Sequence, residues 1–311
     1  MNNKEQFQRP SRLKEGDCVG IVAPAGPVNR EELEKGVRVI RRMGFRPVLG
    51  EHVFSRDRFL AGADEDRAHD LMAMFRDKAV KAIFCARGGY GVNRMLPFLD
   101  PRTIRKNPKI LVGASDITLL LLYIQQKCST IAFHGPMVAG NLGRYPMRKT
   151  RSQFQQILSA DAQGKKLSWP QARVLQPGTA RGIVTGGCLT LLCRSLGTPY
   201  EIQSKERILF IEDVNEPPYK IDGMLQQLKS AGKFKAVRAV VFGEMVGCRL
   251  QGQTSKYMDR LIQDVFAEES FPLITGFPLG HGREMWTLPI GAEATVSTRS
   301  KSIRFKNCGV L

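Results

Sequence analysis

Long hydrophobic runs are missing from this 311-residue sequence. The longest, Ile117 to Ile124, falls well short of the ~20 residues that a membrane-spanning helix needs. Residues 1–17 contain no apolar stretch, so no secretory signal is expected. Seven cysteines occur (Cys18, Cys85, Cys128, Cys188, Cys193, Cys248, Cys308), but none forms C-x-x-C. With only four histidines beside them, neither a disulfide framework nor a zinc cluster is expected, and the thiols read as reduced and buried. Acidic residues are also few: 29 Asp+Glu face 47 Lys+Arg, for a net charge of +18. Basic residues are scattered rather than interleaved with aromatics, so they read as solvated faces and not as a specific nucleic-acid surface. A chain this basic still attracts polyanions at low salt, and a polyanion-binding α/β protein without catalysis remains one reading. These absences predict a cytoplasmic protein with no metal, no cofactor and no membrane contact.

What is present is an ordinary globular composition, 42% hydrophobic and 24% charged, over a length that suits two domains. The first half alternates apolar strands with amphipathic helices. Strands are predicted at 18–23, 80–85, 109–113 and 131–133, with helices from Asn29, from Asp64 and from Asp116. Such alternation argues for a mostly parallel sheet, whose ligands lie at the carboxyl ends of the strands. The pattern loosens between 146 and 178 and resumes with strands at 208–211, 237–242 and 288–296. The expected organisation is an N-terminal domain over 1–145, a connection over 146–178 and a smaller α/β domain over 179–311.

Several residues at predicted strand ends carry usable chemistry. Ser115 sits in Gly113-Ala-Ser-Asp-Ile117, a strand-to-helix junction, where a hydroxyl is exposed beside outward-pointing amides. The junction resembles a nucleophile elbow with Ile117 in place of the second glycine, and a plain helix-capping serine is the alternative. A serine nucleophile needs a base. His69 lies in a charged helix, His52 in a polar turn and His134 after a strand. His281 stands between Gly280 and Gly282, which leaves its ring accessible. The base in turn needs a carboxylate, and Arg207-Ile-Leu-Phe-Ile-Glu-Asp-Val-Asn-Glu216 supplies Glu212, Asp213 and Glu216 where a buried strand ends. The cluster Arg87-Gly-Gly-Tyr-Gly91 completes no dinucleotide or P-loop fingerprint, so it is a weak nucleotide signal, and it could equally bring a backbone amide to a substrate oxygen.

Taken in order, Val19–Gly26, Ala86–Gly91, Val112–Thr118, Phe133–Met137, Gly186–Leu189, Leu209–Asp213, Gly280–Gly282 and Leu288–Gly291 resemble the LD-carboxypeptidase (muramoyltetrapeptide carboxypeptidase) family of serine peptidases. The resemblance implies a flavodoxin-like N-terminal domain, a smaller swivelling-type C-terminal domain, a homodimer and no cofactor. It implies hydrolysis of the L,D-peptide bond that releases terminal D-Ala from murein tetrapeptides in cytoplasmic peptidoglycan recycling. Carried over by motif, Ser115 is the nucleophile, His281 the base and Glu212 the residue that orients it, with Glu216 as fallback. The backbone amides of Asp116 and of Gly89 would form the oxyanion hole, with Gly88 the neighbouring candidate. Arg87 would meet the substrate carboxylate or else brace its turn. A microcin-immunity-type peptidase acting on peptidyl-nucleotides is the rival within the same circle of relatives.

Overall fold

The computed structural model describes residues 7–159, 165–250, 252 and 255–311. The chain forms two compact units. One runs through residue 162 and includes Trp286–Gly291 and Cys308–Leu311; the other takes Gln163–Met285 and Ala292–Asn307.

In the first unit, β1 (Cys18–Val22) is apolar throughout and wholly buried, as a strand covered on both faces must be. α1 (Arg30–Arg42) begins at Asn29, whose side chain accepts the Glu32 N–H at 3.0 Å. Its acidic first turn and basic last turn complement the helix dipole, while Leu33, Val37 and Ile40 are buried. β2 (Arg46–Leu49), α2 (Asp64–Arg76), β3 (Val80–Cys85), the short α3 (Val92–Met95) and α4 (Pro101–Lys106) follow. Then come β4 (Ile110–Gly113), α5 (Thr118–Cys128), β5 (Ala132–His134) and α6 (Arg148–Ser159). The five strands are parallel in the order β2-β1-β3-β4-β5, the flavodoxin-like order. Strand order reverses at β1, so right-handed crossovers put α1 on one face and α2, α4 and α5 on the other. α6 lies beside α1, where Gln155 donates to the Met43 carbonyl at 3.2 Å and Phe154 packs on Phe84.

The second unit contains β6 (Lys166–Ser168), β7 (Arg173–Gln176), β8 (Thr179–Cys188), α7 (Leu189–Ser195) and β9 (Arg207–Val214). It continues with α8 (Pro218–Ser230), β10 (Ala239–Val246), α9 (Ser255–Val265) and β11 (Leu273–Thr275). Strands β8, β9, β10 and β11 are parallel, and β7 closes one edge antiparallel to β11.

Two sequence expectations differ from this architecture. Residues 288–296, expected as one strand, form β12 (Leu288–Ile290) and β13 (Glu293–Ser297) in different sheets. Gly291, at φ +102°, turns the chain between them. β12 pairs antiparallel to β5 in the first unit; β13 pairs with β8 and with β14 (Ser302–Phe305) in the second, and β6 adds to β14. The stretch 146–178, expected as a connection, is structured where described: α6 packs in the first unit and β6 and β7 join the second sheet. Its basic residues and prolines disguised two short edge strands. No helix among the described residues is long and apolar enough to cross a membrane.

Candidate active site

In the first unit, the reversal of strand order leaves a crevice outside the carboxyl ends of β1 and β3, the usual ligand position of such sheets. The turns leaving both strands meet there: Gly26 N–H donates to the Gly88 carbonyl at 3.1 Å. The buried Arg67 guanidinium braces both turns, donating to the Pro24 carbonyl at 2.6 Å and the Gly91 carbonyl at 2.9 Å while paired with Asp64. Next along the sheet, β4 ends at Gly113 and delivers Ser115 into a single 3-10 turn. Ser115 holds φ at +61°, a left-handed conformation uncommon for a residue with a side chain. Such strain persists only where the surroundings enforce it, and it is concentrated at functional positions. Here the enforcement is visible, because Asp116, fully buried, accepts the Val92 N–H at 2.8 Å and ties the serine turn to the glycine turn.

Gly88 is the glycine against the serine. A Cβ at Gly88 would sit 2.7 Å from Ser115 Cβ and 3.0 Å from its Oγ, whereas one at Gly89 would meet Gly26. Gly88 is buried and Gly89, at φ +118°, is exposed. Arg87 is exposed and donates to the Pro27 carbonyl at 3.0 Å, so it braces the neighbouring turn. His134 ends β5 fully buried, in register with Gly113.

In the second unit, β9 is buried almost to its end, and Glu212 is its first charged residue after Ile208–Ile211. Its side chain is fully buried, with Oε2 2.6 Å from His281 Nδ1. His281 lies in the loop after β11, and its Nε2 has no hydrogen-bond partner among the described residues. Burial pushes the Glu212 carboxyl upward, partly offset by His281. Burial alone would pull the His281 imidazole down, but the charge and hydrogen bond of Glu212 outweigh it and the net shift is upward. With Nδ1–H donated to Glu212, Nε2 is the nitrogen that can take a proton.

The other two carboxylates of this segment are engaged elsewhere. Asp213 accepts from the Thr190 N–H and hydroxyl, both at 2.8 Å, at the start of α7. Glu216 pairs with Lys220 at 3.4 Å on an open groove that also includes Tyr219 and Met224.

The sequence reading missed Glu244. β9 and β10 are adjacent, and the loop carrying His281 runs between a carboxylate from each: a Cβ at Gly280 would lie 2.7 Å from Glu212 Oε2, and one at Gly282 would overlap the Glu244 carboxyl. Glu244 N–H donates to the Leu279 carbonyl at 2.9 Å, and its side chain accepts from the Gly282 N–H. Burial, reinforced by Glu284, raises its pKa to about 7. The signal was available: Val240-Val-Phe-Gly-Glu244 repeats the pattern of Leu209-Phe-Ile-Glu212, an apolar strand ending on a glutamate.

A strained serine beside a glycine turn in one unit, and a histidine oriented by a buried glutamate in the other, are groups of the kinds that acyl transfer uses. Comparison with known proteins agrees with that chemistry. Residues 19–135 match the LD-carboxypeptidase N-terminal domain, and residues 181–296 match the LD-carboxypeptidase C-terminal domain. The chain is 36% identical over 298 residues to a probable murein peptide carboxypeptidase of Bacillus subtilis, covering 94% of this chain and 93% of that one. It is 31% identical to a murein tetrapeptide carboxypeptidase of Pseudomonas aeruginosa, covering 89% and 92% respectively. Among solved structures, the microcin C7 self-immunity protein MccF superposes with a TM-score of 0.90 at 25% identity, covering 96% of this chain and 98% of that one. With both domain matches in chain order and relatives aligned over nearly the full length, the protein belongs to the LD-carboxypeptidase family of serine peptidases.

Proposed function

We propose that this carboxypeptidase releases terminal D-Ala from murein tetrapeptides by cleaving the preceding L,D-peptide bond. The observation that carries the reading is the Glu212–His281 pair, which fixes one imidazole tautomer and leaves Nε2 as base. In the first half-reaction Ser115 Oγ attacks the carbonyl carbon of the bond to D-Ala, and His281 Nε2 takes the hydroxyl proton. Positive charge on the imidazolium is balanced by Glu212. The oxyanion is met by the backbone amide of Asp116 and by one from Gly88 or Gly89, each such donor being worth about 3–4 kcal/mol. Collapse breaks the C–N bond as His281 returns its proton to the departing amine. Water then attacks the acyl-serine, again deprotonated by His281, and frees the tripeptide acid and Ser115.

Names of relatives support the substrate class: murein peptides for the Bacillus subtilis protein, murein tetrapeptide for the Pseudomonas aeruginosa one. The likeness to MccF favours a second reading, cleavage of a peptidyl-nucleotide by the same groups. Measuring kcat/KM for a murein tetrapeptide and for an aminoacyl-sulfamoyl nucleoside under one condition separates them. Preference for the tetrapeptide is expected, and the reverse preference would replace the first reading with the second. The same proposal places the enzyme in the cytoplasm as a homodimer, the latter checked by sedimentation.

A further inference from the structure

A second cluster of functional side chains lies at the carboxyl end of β2, away from Ser115. Glu51 and His52 follow that strand after Gly50, and His69 comes from α2. Each offers one donor atom, and the three atoms lie within 4.8 Å of one another. Zinc holds N and O ligands at about 2.0–2.2 Å, which sets them about 3.3 Å apart around a tetrahedral ion. Glu51 and His69 are exposed and free to close that difference by rotation.

The environment of His52 distinguishes this cluster from a chance surface grouping. Asp70, whose side chain is only 4% exposed, accepts the His52 backbone N–H at 2.8 Å and lies 2.8 Å from His52 Nδ1. The approach is close because position 50 is glycine, where a Cβ would overlap the Asp70 carboxyl. The carboxylate therefore holds the Nδ1 proton and leaves Nε2 as the donor, the same hydrogen bond that orients metal-bound histidines and makes them better ligands. That hydrogen bond also raises the affinity of His52 for a proton. On α2, Asp66, His69 and Asp70 share one face at i, i+3 and i+4. Asp66 Oδ1 lies 3.8 Å from His52 Nε2, adding negative charge beside the donors.

We propose that Glu51, His52 and His69 form a binding site for a divalent transition-metal ion of the zinc class, with Asp70 orienting His52. Two imidazoles and a carboxylate suit Zn²⁺, Ni²⁺ or Cu²⁺ and suit Mg²⁺ poorly. The site ties the start of the loop between β2 and α2 to the helix that follows it. The far end of that loop rests on the glycine turns: Ala61 N–H donates to the Ala25 carbonyl at 2.9 Å, and Phe59 stacks edge-on to Tyr90 at 5.6 Å. A bound ion thus stiffens the segment that packs against the Arg87–Gly91 turn.

The test is isothermal titration of ZnCl₂ into chelator-treated, full-length protein in a non-coordinating buffer, with thermal melting in parallel. One saturable site and a rise in Tm are expected for the wild type. His69→Ala changes only an exposed side chain, and it should weaken binding at least tenfold and abolish the Tm rise. Asp70→Asn should weaken binding by about 10–100-fold, the usual effect of losing such an orienting carboxylate. Absence of saturable binding, or unchanged affinity in folded His52→Ala and His69→Ala variants, would overturn the assignment. Neither result depends on peptidase activity.

Discussion

Replacing Glu212 by Gln separates the proposed catalytic chemistry from the fold. The substitution preserves shape and removes only a charge from a side chain that is fully buried and bonded to His281 at 2.6 Å. A glutamine that presents its amide N–H₂ to Nδ1 forces the imidazole proton onto Nε2, the nitrogen needed as base. The wrong tautomer, together with loss of the charge that balances the imidazolium, should lower kcat by ~10⁴-fold. At 1.36 kcal/mol per decade, that is about 5.4 kcal/mol of transition-state stabilisation. Stability should respond much less. A charge-assisted hydrogen bond worth about 1.5–3 kcal/mol is lost. Against it stands relief from burying a carboxylate whose pKa burial already raises. These oppose each other, so the net change in Tm should be a few degrees, at roughly 2–4 °C per kcal/mol for domains of this size. The assay is steady-state release of D-Ala from a murein tetrapeptide, alongside a thermal melt. A Glu212→Gln enzyme that keeps a tenth or more of wild-type kcat would refute the assigned role.

Other consequences are equally direct. His281 must be neutral to act as base and its pKa is raised, so kcat/KM should climb with pH through a midpoint above the ordinary ~6.5. Glu212, Asp213 and Glu244 all hold it up, so Glu244→Gln should move that limb to lower pH; an unmoved limb would remove Glu244 from the site. Gly88→Ala places a Cβ 2.7 Å from Ser115 Cβ and should displace the nucleophile, costing up to ~100-fold in kcat, with an overpacking loss of about 1–3 kcal/mol in stability. Wild-type kcat in a folded Gly88→Ala variant would show that Ser115 tolerates the contact. All seven cysteines are buried as free thiols, and burial lifts Cys128 and Cys193 to about 12, so Ellman's reagent should react promptly only after denaturation. Fast labelling of native protein would contradict that packing.

Much of this was legible in the residues. Continuous apolar strands and capped amphipathic helices reported the parallel sheet, and glycine-flanked or strand-terminal polar residues marked Ser115, Glu212 and His281. What failed to show was long-range pairing. Nothing local to 288–296 says that the turn at Gly291 sends Leu288–Ile290 to β5 and Glu293–Ser297 to β8, since the partner strands lie far away in the sequence. Edge strands β6 and β7 are short, and their composition resembles that of a loop. The pair at β2 was invisible for the same reason: His52 and His69 lie 17 positions apart and become neighbours only when α2 packs back on the strand end. Glu244 had a local signal but no motif to give it meaning, and only the close approach of Gly282 shows that it belongs beside His281.

The central claim is that Ser115 is the nucleophile of a D-Ala-releasing carboxypeptidase. Mass spectrometry of a murein tetrapeptide incubated with wild-type protein or with Ser115→Ala tests it most directly. Wild type should yield a product lighter by one alanine residue, the folded variant should yield none, and chelator should affect neither. An intact tetrapeptide with folded wild-type protein, or equal cleavage by Ser115→Ala, would contradict it.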